Sequence, residues 1–408
     1  MGAMLMPSRL PILYFFLVGA AAPAMTQSDA QPAPAPAAPL TVPMAPPAPL
    51  VPHWTRRDAE DLLSYIQEIG REGLDPAYYD PQRLRDALSS RDGATLDAAA
   101  TDSFMRLSSD LSLGHVRGED RVSWYVQDPD LRPEDQNGLL TRALQTHTMP
   151  QTLDALLPSH PQYSELKAAL ARTPAADKAT LAKIRVNLDR WRWLPRDLGQ
   201  KYVIVNVAAY SVALVENGQV TARRRAVAGA IKTPTPQLSA TITGAIFNPW
   251  WEVPESIAKE VRGKRGYVTA SDGNGGVRWR QPPGPSNALG RVKLVMPNRY
   301  NIYLHDTNAK GLFDKQMRAY SHGCIRTEDA LGFAATLLET TGKWDQGRIE
   351  ETVASGKTVQ ANLAAPVPVY IAYFTAAATT DGGVAKYQDI YNRDARVAAA
   401  LGAGTAGD

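Results

Sequence analysis

A single cysteine, Cys324, among 408 residues leaves no partner for an intramolecular disulfide. Charge of one sign is equally scarce: 44 Lys and Arg against 41 Asp and Glu give a formal net charge of +3. That balance argues against a dedicated nucleic-acid binder and leaves only weak attraction to an anionic polymer. The apolar run Leu10 to Ala22 is too short for a comfortable membrane span. No repeat of solenoid period is present, and His53, His115, His147 and His160 are scattered without metal-ligand spacing, as surface or core histidines are.

What is present points first to export. Arg9 precedes the apolar run, and Ala22-Pro23-Ala24 supplies the small residues of a signal-peptide cleavage site. Met1–Ala24 is therefore expected to be a signal segment with transient membrane association, and the folded part is expected in the periplasm. A lone thiol in an oxidising compartment calls for a reason, either burial as a small apolar side chain or chemistry. Gln31 to Pro52 is dominated by Pro and Ala, an extended semi-rigid tether within the linker 25–53. A chain this long calls for more than one core, and 44% hydrophobic with 21% charged residues is ordinary globular composition.

From Trp54 to Pro195 the periodicity is helical. Leu62, Leu63, Ile66 and Ile69 form one stripe ended by Gly73 and Pro76; Phe104, Leu107 and Leu111 form a second. Leu181, Ile184, Leu188 and Trp191 form a third, closed by Pro195. This predicts a helical scaffold domain, 54–195, with nothing catalytic in it.

After Gln200 the period changes. Tyr202–Val207, Ser211–Val215 and Val220–Val227 read as strands, with Asn217-Gly218 as a hairpin turn; Arg291–Met296 and Asn301–Leu304 add more. The expected fold class is α+β: a helical scaffold followed by a mainly antiparallel, β-sandwich-like catalytic domain over 200–375, then a C-terminal extension, 376–408. Between Trp250 and Gly290 lies a Gly-rich stretch carrying Lys259, Arg262, Lys264, Arg265, Arg278 and Arg280. An insertion of this length between strands is usually functional or disordered, and 255–290 is expected to be a lid over the site, with a plain surface excursion as the alternative.

The chemistry concentrates in Tyr303-Leu304-His305-Asp306 and Tyr320-Ser321-His322-Gly323-Cys324-Ile325-Arg326-Thr327. His305 falls at a strand end. Cys324 precedes a helix whose Ala330, Phe333, Ala334, Leu337 and Leu338 share one face, with Thr327 as the expected N-cap. A helix N-terminus or an imidazolium lowers a thiol pKa, and the thiolate is the nucleophile. His305 is suited to take the thiol proton and return it to a leaving amine. Gly323 permits a tight turn that lets the Gly323 and Cys324 amides converge on an oxyanion. Arg326 can hold a substrate carboxylate. Zinc ligation by His305, His322 and Cys324 is the other reading, although no fourth ligand presents itself and no cofactor is otherwise called for.

The histidine, the gap of about 15 residues and then Ser321-His322-Gly323-Cys324-Ile325-Arg326 resemble the signature of the L,D-transpeptidases with a YkuD-type catalytic domain. Asn248-Pro249-Trp250-Trp251-Glu252-Val253-Pro254, Asn287-Ala288-Leu289-Gly290, Tyr373-Phe374-Thr375 and the run Asn187 to Pro195 are similar to the large YcbB-like subgroup. The likeness extends from Trp54 to Arg396. One departure is the short stretch Leu170 to Leu181, which has no room for the peptidoglycan-binding module usual in that subgroup. The resemblance implies Cys324 as nucleophile, His305 as base, and the Asp306 carbonyl orienting the imidazole. It further implies that His322 and Gly323 shape the oxyanion site, while Arg326, Ser321, Tyr320 and Trp251 contact substrate. Trp250, Trp251 and Tyr300 would either wall the cleft or pack in a core. The implied substrates are peptidoglycan stem peptides, joined by 3→3 cross-links through a thioester. Hydrolysis of stems, protein anchoring to the wall, and a non-catalytic wall-binding protein remain as alternatives.

Overall fold

Thr55 opens the first helix, α1 (Arg56–Gln67), by accepting the Asp58 N–H, which would otherwise have no partner in the first turn. Asp80 and Asp92 do the same for α2 (Pro81–Ser89) and α3 (Gly93–Leu113). A short strand, β1 (Trp124–Tyr125), then precedes α4 (Pro133–Thr146), α5 (Met149–Asp154), α6 (Pro161–Arg172) and α7 (Lys178–Arg192). The first two expected stripes meet in one core in which Leu62, Ile66, Phe104, Leu107 and Leu111 are fully buried, whereas Ile184, Leu188 and Trp191 of the third pack in another core with Tyr202, Tyr370 and Phe374. Ile69 is buried as expected but lies in a 3₁₀ turn, Ile69–Glu72, beyond the end of α1.

The computed structural model describes residues 52–126, 131–273 and 276–402, all within one compact unit, Val51–Asp408. The expected signal segment and the Pro/Ala tether as far as Val51 lie outside the described residues. Among the described residues no helix is long and apolar enough to cross a membrane.

The run Asn187 to Pro195 ties the helices together. Asp189 is fully buried and accepts from the His115 and Val116 N–H groups at 2.7 and 3.1 Å, from Trp193 Nε1 at 2.9 Å and from Arg192 Nη1 at 3.1 Å. A buried carboxylate with four donors is satisfied; without them it would be costly. Gly114 is required here: a Cβ would sit 2.5 Å from the Trp193 ring, and its φ is +80°.

The second half begins with β2 (Lys201–Asn206), β3 (Ser211–Glu216), β4 (Gln219–Gly229) and β5 (Gln237–Phe247). Asn217 and Gly218 both have positive φ, the geometry of a hairpin turn matched to strand twist. Next come β6 (Trp251–Glu252), α8 (Glu255–Val261), β7 (Val268–Ser271) and β8 (Val277–Gln281), which form a separate three-stranded sheet in the order β6-β8-β7. Val253, Ile257 and Val261 give this excursion a small core of its own, with Trp251, Tyr267 and Trp279 packed against it. Asn287 holds its base: the buried side-chain amide donates to the carbonyls of Pro249, Gln281 and Pro282 at 3.0, 3.3 and 2.9 Å.

The chain then returns through β9 (Val292–Val295), β10 (Leu304–His305), β11 (Ala319–Ser321) and β12 (Ile325–Thr327). After these follow α9 (Ala330–Leu338), α10 (Gln346–Ala354), β13 (Val359–Ala372), β14 (Ala376–Ala378), β15 (Val384–Lys386) and α11 (Asp394–Ala400). The main ladder runs β1-β5-β13-β2-β3-β4-β12-β10-β9, and β9 pairs back onto β5. The half mainly of strands is therefore a closed ladder, where two stacked sheets were expected. The long strand β5 makes closure possible, because Gly244–Phe247 pair with β13 on one edge and β9 on the other. Pairing is mostly antiparallel, with β1–β5, β2–β13, β4–β11 and β10–β12 parallel.

Two local expectations are corrected. Asn301–Leu304 is not a full strand: only Leu304–His305 pairs, because the Asn298 amide donates to the Met296 and Ile302 carbonyls and its oxygen accepts from the Tyr300 and Ile302 N–H groups. Thr327 does not cap α9. It belongs to β12, and Asp329, at φ +44°, caps the helix through the Gly332 N–H.

Candidate active site

Parallel pairing of β10 with β12 places Leu304 beside Ile325 and His305 beside Arg326. Leu304 and Ile325 are fully buried in the core. Side chains alternate across a strand, so the residues on either side of them, Tyr303, His305, Cys324 and Arg326, turn to the other face. There they line a cavity of about 240 Å³ together with Ser321, His322, Tyr300 and, from the excursion, Trp251 and Ile257.

His305 is buried, and its Nδ1 donates to the Asp306 carbonyl oxygen at 2.5 Å. That bond fixes the tautomer and leaves Nε2 with its lone pair. Burial pushes the imidazole pKa down to about 4, and the Arg326 and Lys293 charges add to the effect against the pull of Asp306. The ring is therefore a neutral base at physiological pH. Asp306 is itself held: its side chain accepts from the Arg291 N–H at 2.8 Å and pairs with Lys310. Gly290 allows this approach, since a Cβ there would lie 2.3 Å from the Asp306 carboxylate.

Cys324 is half-buried. Burial pushes its thiol pKa up; the Tyr303 backbone N–H and the charges of Lys293 and Arg326 oppose this. The expected activation by a helix N-terminus is absent, because β12 separates Cys324 from α9. Gly323, at φ +113°, makes the expected tight turn. Its N–H, however, donates to Ser321 Oγ at 3.1 Å, while Ser321 Oγ donates to the Cys324 carbonyl at 2.5 Å. The Gly323 amide is thus committed to Ser321, and the expected convergence of two adjacent amides on an oxyanion is not set up. Thr235 Oγ1 fixes the same turn by donating to the Gly323 carbonyl at 2.8 Å.

Three further residues are placed otherwise than expected. His322 lines the cavity, and its Nε2 lies 3.2 Å from Glu260 Oε1 on α8, so the ring links the turn to the excursion. Tyr320 is 42% exposed and lies outside the cavity lining. Trp250 also lies outside it, beneath the Arg280 guanidinium at 4.5 Å. Among the described residues, no group of three or more His, Cys, Asp or Glu side chains is placed to hold a metal ion.

Lys293 was not singled out from the sequence. It lies opposite His305 in the β9–β10 pairing, so Lys293, His305 and Arg326 form one row across three strands. Its ammonium sits 4.0 Å from the centroid of the Tyr303 ring. Only the register reveals this; in sequence it is one alternating residue of a strand. Lys293→Met is expected to raise the apparent thiol pKa of Cys324, because removing a cation disfavours the thiolate, whereas Lys293→Arg should hold it near the native value. The rate of iodoacetamide alkylation against pH checks this. The curve should move to higher pH with the same plateau, and an unmoved curve would remove Lys293 from the site.

A thiol and a neutral imidazole on one cavity wall, flanked by two cations, are the kinds of group that cysteine acyl transfer uses. Residues 200–369 match the family described as the L,D-transpeptidase catalytic domain, YkuD, and residues 50–170 match the scaffold domain family. A Haemophilus influenzae protein, whose name assigns it provisionally to the L,D-transpeptidases, is 29% identical over 242 residues, covering 53% of this chain and 48% of that one. The chain thus spans about half the length of that curated relative. Similar solved structures include an Enterococcus faecium L,D-transpeptidase, at 15% identity and a TM-score of 0.22, covering 44% of this chain and 52% of that one. Another is an L,D-transpeptidase from Mycobacterium smegmatis, at 13% identity and a TM-score of 0.23, covering 42% and 58%. Residues 200–369 are therefore similar to the YkuD-type L,D-transpeptidase catalytic domain.

Proposed function

We propose that the chain is a periplasmic peptidoglycan L,D-transpeptidase working through a thioester on Cys324. The observation that carries this reading is the placement of Cys324 and a neutral His305 on one wall of one cavity. His305 Nε2 takes the thiol proton as the sulfur attacks a stem-peptide carbonyl; the carbonyl π electrons move onto oxygen. The C–N bond then breaks, the amine leaves with the proton from His305, and a thioester remains. An amine from a second stem attacks the thioester and gives its proton to His305. The thiolate leaves and is reprotonated. No nucleotide is needed, because the thioester keeps the energy of the amide that was broken.

Arg326 lines the cavity and has no carboxylate partner among the described residues, which suits it to a stem carboxylate. The excursion 251–290 walls the cavity through Trp251 and Ile257 and touches the Cys324 turn through Glu260. In this reading it is a lid that excludes water and favours an amine acceptor. Limited proteolysis with and without an acyl adduct on Cys324 checks the lid, which is expected to become more resistant in the adduct.

With a tetrapeptide donor the expected product is a 3→3 cross-linked dimer with loss of D-Ala. Incubation of the protein with purified disaccharide-tetrapeptides, followed by tandem mass spectrometry, reads both the product and its linkage. Trimmed tripeptides alone would make the enzyme an L,D-carboxypeptidase. No turnover with an unreactive thiol would leave a wall-binding protein.

A further inference from the structure

We propose that Tyr125, carried from the helical region, forms with Tyr300 a stacking platform for a pyranose ring of the substrate's glycan. This rests on the stem-peptide reading above and adds a subsite to it. The platform begins with an unusual turn. Val122 and Ser123, neither of them glycine, have consecutive positive φ values of 37° and 54°. Such backbone is sparsely populated, most of all for a β-branched residue, and persists only where its surroundings hold it. Here Gln237 holds it: its buried side-chain amide donates to the Val122 carbonyl at 3.1 Å, and its backbone N–H donates to the Ser123 carbonyl at 2.9 Å. The turn lets β1 join the edge of β5 in parallel, a place where the catalytic ladder accepts a strand from outside itself.

Trp124 turns inward and packs edge-on against Trp193 at 5.4 Å. Tyr125 turns outward and stacks on Tyr300 at 4.4 Å between centroids and 26° between planes, yet remains 44% exposed. Tyr300 belongs to the wall of the reactive cavity. Arg299 fixes it further, with its guanidinium 4.9 Å from the ring centroid and two N–H groups donating to the hydroxyl at 2.8 and 2.6 Å. The strained turn seats Trp124 against the core, and on the other face it leaves the half-open Tyr125 ring, which adds little packing of its own. It does deliver a rigid aromatic face continuous with the place where the reacting carbonyl must lie.

The cavity, at about 240 Å³, is smaller than the roughly 300 Å³ at which pockets for drug-sized ligands begin. It therefore holds the reacting part of a stem peptide and not the sugars that bear it. Those sugars lie outside, at the rim. The negative face of an aromatic ring attracts the electropositive C–H groups on one side of a pyranose, whereas a stem peptide presents no flat face of similar size.

The test compares two donors, a disaccharide-tetrapeptide and the same tetrapeptide without sugars, on the native protein, Tyr125→Ala and Tyr125→Phe. Tyr125→Ala should raise KM for the sugar-bearing donor roughly three- to tenfold with kcat little changed, the effect expected for one lost stacking contact. It should leave the sugarless donor and iodoacetamide alkylation of Cys324 unchanged, and Tyr125→Phe should behave as native. Equal losses on both donors, or none on either, would overturn the platform. If the native protein turns over neither donor, the stem-peptide reading fails on its own. Titration of Cys324→Ser with the bare disaccharide then decides: saturable binding lost on adding Tyr125→Ala keeps the platform, and no binding ends it.

Discussion

Cys324→Ala is expected to reduce transpeptidation to background, a loss of about 10⁴-fold or more, while leaving the fold intact. Cys324 is half-buried and packs at the edge of the catalytic core, so losing one sulfur removes little apolar contact. All covalent chemistry in the proposed cycle passes through that sulfur. Cys324→Ser should recover little, because a hydroxyl has no comparable anion population and the cations around it cannot compensate. Intact mass after incubation with donor checks both variants. The native protein should carry an acyl adduct on Cys324 and the variants none; turnover by Cys324→Ala would remove the thioester from the mechanism.

His305→Ala should cost roughly 10²- to 10⁴-fold in kcat/KM, the range for a positioned acid–base group. Its pH dependence is the sharper test. The imidazole is pushed down to about 4, chiefly by burial, so the proton-accepting form persists well below the ordinary histidine range. The native protein should hold its activity from pH 7 to pH 5 and lose it as pH falls through about 4, where the ring becomes charged and cannot accept the thiol proton. An acid limb near the ordinary value of about 6.5 would mean that His305 is not desolvated as described, or that another group is the base. The alkaline side should show a raised thiol, in keeping with the burial of Cys324.

Much of the scaffold could be read from spacing alone. The stripes at Leu62 and Ile66, Phe104 and Leu111, and Leu188 and Trp191 are periodic over many residues, and burial of such a face is close to obligatory. Asn217-Gly218 announced its hairpin because few residues tolerate positive φ in both turn positions. Short pieces were harder. Asn301–Leu304 has strand composition, yet the Asn298 side chain takes the backbone groups a ladder would have used. Thr327 was the expected cap, and only the extra strand β12 hands that role to Asp329.

The candidate site divides the same way. Ser321-His322-Gly323-Cys324 and His305 stood out as the candidate pair because a lone thiol calls for a reason, and local chemistry is written in residue type and spacing. The cationic row of Lys293 and Arg326 around His305, the commitment of the Gly323 amide to Ser321, and the reach of His322 to Glu260 depend on which strands lie side by side. Tyr125 reaches Tyr300 across 175 positions of sequence for the same reason. Neighbours along the chain are set by covalent order and short-range sterics; neighbours across it are set by register and ladder closure, which only the packed molecule resolves.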